Sequence, residues 1–432
     1  MPTVPQLSDS SDSTVSTELT NTASPKAPSL RSLGLRGLLA TIATAILALC
    51  ILWGALQGIF LALQVQTIDP KGAAQSLAVV VGVGAMGSMI ASPIAGMLTD
   101  RTRTRFGGRI PWMVVGAAAT LVVALFLATA HTVLELTIYW FLVQLATNFV
   151  LTPVLVHIPE RVPLSRRGLF SSVMGVSQMA GFVLGQSIGA AFSTMIPIGY
   201  AVTGSILLVV VIAFALTNAR SNLDIPRPRL SLLKVLKTFW VNPRKHPNFA
   251  WVFTGRFLLM VGYFPLQAYL LYILQDFIHL GQDAVAVVPI LGTANLVGSI
   301  VGTGISGWLV DKIRATKPII YGASAIMILA FAFPLLWQSV PSMLIYSFVG
   351  AFGLGAFMAV DYVLITEVLP SADDAGKDLG IINISTTLPQ TIGAAVAGPV
   401  IAVFSGYSAL FPAAIVFVII GAACLFLVRN VR

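Results

Sequence analysis

The chain has 432 residues, a formal net charge of +9, 57% hydrophobic residues and only 9% charged ones. A soluble domain carries about 25% charged residues, so this chain has too few to coat a globular surface and is predicted to be solvated largely by lipid. Its basic residues do not line one polar face, as nucleic-acid binding would require; they sit in the gaps between apolar runs, and no nucleic-acid partner is expected.

The first 34 residues are rich in Ser, Thr and Pro and lack apolar periodicity. They read as a disordered cytoplasmic tail. They do not read as a signal peptide, because the first apolar run is too long and has no small-residue cleavage site. A spanning helix needs about 20 mostly apolar residues. Such runs fall near 37–63, 74–98, 110–130, 135–157, 168–190 and 195–217. After a polar interval they resume near 249–275, 284–309, 317–337, 342–366, 378–404 and 407–428. The prediction is an all-α membrane protein of twelve helices. Nothing alternates with the period of a membrane barrel.

Charge sets the orientation, because loops on the cytoplasmic side collect Lys and Arg. Arg101, Arg103, Arg105 and Arg109 separate spans two and three, and Arg161, Arg166 and Arg167 separate four and five. The segment 218–248 carries Arg220, Arg227, Arg229, Lys234, Lys237, Arg244 and Lys245 between apolar residues. It reads as a basic amphipathic linker on the inner membrane surface. The opposite loops hold Lys71 alone. Both termini are therefore expected in the cytoplasm of a plasma-membrane protein. The domains read as a tail over 1–35, a six-helix bundle over 36–217, the linker and a second bundle over 249–432.

The two halves repeat. "GMLTDR" at 96–101 is echoed by "GWLVDK" at 307–312, and "QSIGAA" at 186–191 by "QTIGAA" at 390–395. "VPLSRRG" at 162–168 has a looser partner in "LPSADDAG" at 369–376. The offsets are 211, 204 and 207 residues, in the same order along the chain. Such repeats mark secondary transporters, whose site lies at the interface between halves.

The stretch "GMLTDRTRTRFGGR" resembles the signature loop of the major facilitator superfamily, with a Gly, an Asp-Arg and further basic residues between helices two and three. Its extension through Arg103, Arg105, Gly107, Gly108, Arg109 and Pro111 is similar to the glycoside–pentoside–hexuronide:cation and sucrose:proton symporters. More loosely, so are "LWGALQGIFLALQVQ" and "AVDYVLITEVLP". The resemblance covers residues 36–430. It implies two pseudo-symmetric six-helix bundles that move a small molecule by alternating access. It also implies a conformational latch of Gly96, Asp100, Arg101, Arg105 and Arg109. Gly96 would let span two approach a neighbour, and Asp100 would face the start of span eleven near Lys377–Gly380, with Arg101 or Arg105 as its ion-pair partner. Asp311 and Lys312 would form a shorter second latch.

A charge inside the bilayer costs about 2.5–3.5 kcal/mol and calls for a partner. Arg256 in span seven and Asp361 in span ten lie at comparable depths, so an ion pair that couples transport to a proton is expected. His157, at the end of span four, is a third candidate for ion coupling. The first half offers no obvious mid-membrane acid, which argues against a sodium site of the kind found in sugar:sodium members of that branch. Polar stripes suggest the substrate path. Trp53, Gln57, Phe60 and Gln64 share a face of span one at helical spacing. Gln144, Asn148 and Thr152 do so on span four, Arg256, Met260, Tyr263 and Gln267 on span seven, and Asn383 and Gln390 on span eleven. Amides that donate and accept, beside aromatic faces, suit a polyhydroxylated solute; each could equally be an interhelical hydrogen bond. Pro265 and Pro389 are expected to kink their helices.

No phosphate-binding loop, metal-spaced Cys/His cluster or hydrolytic constellation is present. The expectation is a non-enzyme without cofactor or metal, working as a monomer in contact with lipid. Cys50 and Cys424 read as small buried hydrophobes. Two rival functions are less well supported. Proton-driven efflux of drugs or metabolites would favour a "GxxxGPxxGG"-like motif in span five, which here reads "GVSQMAGFVLGQSIGA". A non-transporting sensor would need a large soluble output domain.

Overall fold

The computed structural model describes residues 34–219, 247–313, 316–368, 388–389, 393, 397–404 and 406–428. The N-terminal tail, nearly all of the basic linker, Lys377–Gly380, Asn383 and Gln390 lie outside the described residues. Among those described, the regular structure is entirely helical.

The helices are α1 (Leu35–Ile68), α2 (Ala73–Arg101), α3 (Ile110–Leu127), α4 (Val133–Arg161), α5 (Leu164–Ala191) and α6 (Ile196–Asn218). Then come α7 (Pro247–Ala268), α8 (Ala284–Ile313), α9 (Lys317–Leu336), α10 (Val340–Val368), α11 (397–404) and α12 (Leu410–Phe426). Among the described residues, ten helices are long and apolar enough to cross a membrane. The 28-residue α5 is not among them; it carries Ser171, Ser172, Ser177, Gln178, Gln186 and Ser187 along its length. In hydrocarbon every backbone N–H and C=O must be satisfied within the chain, which is why the apolar runs become helices.

Local signals set the ends. Thr132 caps α4 through a capping box: its hydroxyl accepts the Glu135 N–H at 3.2 Å, and the Glu135 carboxylate accepts the N–H groups of Thr132 and His131. Pro111 and Pro318 open α3 and α9 at a position whose N–H has no helical partner anyway. Their offset, 318 − 111 = 207, repeats that of the sequence motifs.

Packing repeats as well. α2 packs on α4 and α8 on α10, while α1 packs on α6 and α7 on α12. At Gly87 an added Cβ would lie 2.8 Å from the Phe141 carbonyl oxygen of α4. The equivalent Gly298 of α8 meets the Phe348 carbonyl of α10 even more closely. The offsets are 298 − 87 = 211 and 348 − 141 = 207. A Cβ at Gly189 would lie 3.2 Å from the Ile59 Cβ of α1, and one at Gly393 would lie 3.2 Å from the Pro265 nitrogen of α7. Small residues at these crossings let backbones approach where no water drives association.

Two helices depart from α geometry. α1 contains a π turn over Leu56–Phe60. Pro265 lies inside α7, and beyond Tyr269 the chain continues as a short turn, Leu270–Tyr272, and a second π turn, Ile273–Phe277. Such turns appear often at functional sites.

Among the described residues, contacts between the halves concentrate at the end of the molecule away from the arginine-rich loops. There Tyr272 Oη donates to the Ala62 carbonyl at 2.8 Å, and Tyr269 Oη to the Ala74 carbonyl at 2.7 Å. Gln66 Nε2 donates to Gln275 Oε1 at 2.6 Å. Tyr407 packs its ring against those of Tyr269 and Tyr272. In the outer part of α5, Leu184, Ser187 and Ala191 form a single exposed stripe; toward the basic end Leu169, Ser171, Ser172, Gly175, Val176 and Gln178 are all exposed, around much of the helix. α8 shows the same change, from a stripe at Ala286, Ile290, Thr293 and Val297 to exposure at Ile300, Val301, Thr303, Gly304 and Ile305. Among the described residues, the halves meet at the far end, while the facing helices α5 and α8 are exposed toward the basic end.

Candidate functional site: a polar seam between the halves

Nine residues of α7 separate Pro247 from Arg256, about 14 Å at 1.5 Å per residue, and seven of α10 separate Asp361 from Val368, about 11 Å. The matched depth brings the two together: Arg256 Nη1 donates to Asp361 Oδ2. Both residues are almost wholly shielded, at 1% and 0% exposure. Asp361 Oδ1 is also buried but has no hydrogen-bond partner among the described residues. A paired buried carboxylate with a spare acceptor can take up a proton at the cost of its ion pair.

About two and three turns further along α7 lie Tyr263 and Gln267, and Tyr263 meets α8. Tyr263 Oη accepts from Gln267 Nε2 at 3.2 Å and from Asn295 Nδ2 at 2.6 Å. With both lone pairs engaged, the phenolic proton remains to donate. Asn295 is a site residue that the sequence reading missed; a lone amide inside the apolar run "GTANLVG" has no periodic companion to flag it. One helical turn away on α8, Gly292 faces Gln186 of α5, whose side chain also packs on Gly58 of α1, with a Cβ there lying 3.2 Å from Gln186 Cγ. Gln186 appeared in the sequence only as part of the repeated "QSIGAA". In the structure it spans three helices from both halves, and its Oε1 is buried without a hydrogen-bond partner. The same holds for Trp53 Nε1 and Gln144 Oε1.

Several expectations need correction. The stripe of α1 does not hold as one face. The π turn inserts a residue, and each residue rotates a helix by about 100°, so positions after Phe60 shift in phase. Trp53 and Gln57 remain half-buried, but Phe60 packs on Tyr200 at 5.1 Å between ring centroids. Gln64 is consumed inside the first half: its Nε2 donates to the Leu127 carbonyl, and its Oε1 accepts from Tyr200. Asn148 donates to Ser88 Oγ at 3.0 Å and to the Gln144 carbonyl at 2.8 Å, so its amide stitches α4 to α2. His157 is 2% exposed, its Nδ1 lies 2.6 Å from the Pro153 carbonyl, and its ring meets Phe214 edge-on. It sits between α4 and α6, away from the Arg256–Asp361 pair.

The loop after α2 also differs from expectation. Asp100 pairs with Arg109, at 3.5 Å, rather than with Arg101 or Arg105. Arg105 lies over the Phe106 ring, and Arg103 Nη1 donates to the Asp100 and Thr102 carbonyls. The turn itself explains this. Gly107 adopts a φ of 98°, and its carbonyl accepts from Thr104 Oγ1, which folds the chain back and carries Arg109 to Asp100. Among the described residues, a Cβ at Gly96 would find only Thr152 Cγ2, at 4.0 Å. Lys312 lies over the Trp308 ring at 4.9 Å; the Asp311 side chain is outside the described residues. Cys50 and Cys424 are buried free thiols.

Comparison with known proteins places this geometry. No curated protein matches the chain. Its fold is similar to that of a bacterial homolog of the human lysosomal transporter Spinster in an inward-facing, unoccupied conformation. That match has a TM-score of 0.71 and 14% identity, over 91% of this chain and 98% of that one. The occupied inward-facing form of the same homolog matches with a TM-score of 0.68 and 15% identity, over 93% and 98% of the two chains. The nucleoside transporter NupG matches with a TM-score of 0.70 and 12% identity, over 90% and 97%. At these identities the likeness concerns the fold. The family model of the major facilitator superfamily matches residues 38–336 and 283–432. This multi-pass membrane protein therefore belongs to the major facilitator superfamily, with the transporter fold of that family.

Proposed function

We propose that the chain is a secondary active transporter that moves a small polar solute, a sugar or glycoside, across the plasma membrane by alternating access, coupled to a proton. Two bundles, over 36–217 and 249–432, rock about the central seam, with both termini and the basic loops in the cytoplasm. The exposed basic-end parts of α5 and α8 then face the cytoplasmic opening, and the Tyr269–Tyr272–Tyr407 cluster closes the outer side.

The observation that carries this reading is the seam itself. Tyr263, Gln267 and Asn295 from one half and Gln186 from the other supply neutral donors and acceptors, with an uncommitted atom at Gln186; on α1 and α4, Trp53 Nε1 and Gln144 Oε1 are likewise buried without a partner among the described residues. Neutral hydroxyl-rich ligands match such a set without paying to bury a net charge. Nearby, Asp361 accepts a proton and loosens its hold on Arg256, so each protonation state favours a different packing of α7 on α10. The latch residues Asp100 and Arg109 pair within their own loop while the basic end is open, and Asp100 is released toward α11 when that end closes.

Purified protein in liposomes, assayed with radiolabelled sucrose under an imposed inward proton gradient, tests the reading. Uptake that collapses with a proton ionophore is expected. Uptake indifferent to the ionophore would sink the coupling. Export under the opposite gradient, with drugs but not sucrose as cargo, would favour efflux.

A further inference from the structure

We infer that Gln186 is a clasp between the halves, whose amide sets how readily the outer side closes and presents the central site with an acceptor that a bound ligand satisfies. The second clause rests on the substrate reading above; the first does not.

The argument starts from the backbone. α5 and α8 come from different halves and pack together in their outer parts. At the crossing α8 offers Gly292, and α1 offers Gly58 at its π turn. Gln186 fills the space between the two glycines. Its Cγ contacts the Gly58 side, and its Oε1 lies directly over Gly292. The next nearest neighbours of an added Cβ at Gly292 are Gln186 Cδ at 3.4 Å and Val183 Cγ2 at 3.5 Å. The seam therefore closes at this spot because α8 has no side chain there.

The chemistry of the clasp is an unmet acceptor. Gln186 Oε1 is buried by the closed seam but accepts no hydrogen bond. Leaving a buried acceptor unsatisfied is costly, whereas an apolar group of the same shape in its place is close to neutral. The empty, closed seam thus holds a built-in opposition to closure. Asn295, one turn along α8 on the same face, and Tyr263 bring the central polar cluster next to this point. A ligand in the cluster that donates to Gln186 removes the opposition, and closure becomes dependent on occupancy.

Two variants separate the clasp from mere packing. Gln186→Met keeps length and volume but removes the acceptor. Gly292→Leu overfills the crossing; alanine would be absorbed by rotating the amide, whereas leucine pushes the helices apart, and Gln186→Ala in the same chain returns the space. Spin labels at Thr194→Cys and Gln282→Cys, both exposed at the outer end, with Cys50 and Cys424 replaced by serine, report the closed fraction without ligand.

The expected result is a several-fold gain in the short-distance population for Gln186→Met. Gly292→Leu should lose it, and the Gly292→Leu/Gln186→Ala protein should recover it. Unchanged distances in both single variants overturn the clasp. So does a Gly292→Leu loss that Gln186→Ala fails to reverse. Thermal shift with sucrose and with uridine addresses the ligand. A wild-type shift that Gln186→Met abolishes supports the acceptor role, and one that Gln186→Met preserves overturns it. Wild-type protein that responds to neither probe sinks the substrate class, while the distances still decide the clasp.

Discussion

Replacing Asp361 by asparagine removes the carboxylate that faces the Arg256 guanidinium in a site where it is 1% exposed. Removing one partner of a buried ion pair costs about 3–5 kcal/mol, because the surviving charge has lost its compensation. Melting temperature falls by about 2–4 °C per kcal/mol in domains of 150–250 residues, the size of one half of this chain, so the expected drop is about 6–20 °C. Arg256→Met should cost a similar amount by stranding the carboxylate. The double variant Arg256→Met/Asp361→Leu removes both charges and should return close to wild-type stability or exceed it, since an apolar pair of similar volume is often neutral or stabilising in such sites. Intrinsic tryptophan fluorescence of detergent-solubilised protein during heating provides the readout. The double variant then serves as the folded control for transport: it should be stable and unable to couple uptake to a proton gradient. Single variants that melt with wild-type protein would refute the claim that this pair is buried and mutually dependent.

Further outcomes follow from other parts of the structure. Phenylalanine at both Tyr269 and Tyr272 removes two hydrogen bonds between the halves, each worth about 0.5–1.5 kcal/mol. Accessibility of a cysteine at Ala78 to an impermeant thiol reagent added from the outer side should rise about 5-fold or more, and an unchanged rate would count against the closure described here. Leucine at Gly87 or at Gly298 should impair folding alike, because each meets a carbonyl of the neighbouring helix; if only one of the two lowers the yield of monodisperse protein, the packing equivalence of the halves is wrong. Asp69, in the turn between α1 and α2, is held below the usual carboxylate range by the Ser76 hydroxyl at 2.7 Å and the Gly72 N–H at 3.0 Å. A depressed folded value means that the turn is fully stabilised above the ordinary Asp value of about 3.9 and loses that support as pH falls through the lowered one. Amide exchange over 69–76, corrected for the intrinsic rate, should accelerate in that acid range, and Ser76→Ala should move the onset upward; exchange independent of pH would remove the assigned cause.

The sequence carried the architecture because lipid imposes simple rules. Apolar runs became helices, arginine-rich gaps became the loops of one end, and motif offsets near 207 reappeared as equivalent crossings at Gly87 and Gly298. The meeting of Arg256 with Asp361 was legible because two lone charges at matched depth have few other partners. The polar lining was less legible. Periodicity assumes an unbroken α-helix, and the π turn at Leu56–Phe60, which composition does not announce, rotated Gln64 into the first half. Amides at Asn148 and Gln64 stitch neighbouring helices, whereas Asn295 and Gln186, hidden among small apolar residues, lie at the seam. The partner of Asp100 depended on the fold of its own loop, which turns at Gly107 and brings Arg109 back; residue types alone left three arginines to choose from.

The most direct test follows distances at both ends of one molecule. One spin-label pair sits at Thr194 and Gln282 on the outer end, and another at Phe106 and Ile313 on the basic end, in protein held in lipid nanodiscs. On a shift to acid pH in the absence of ligand, the outer pair should lengthen in the same fraction of molecules in which the basic pair shortens. Two ends that open or close together, or that never move, would contradict rocking of two halves about a central seam.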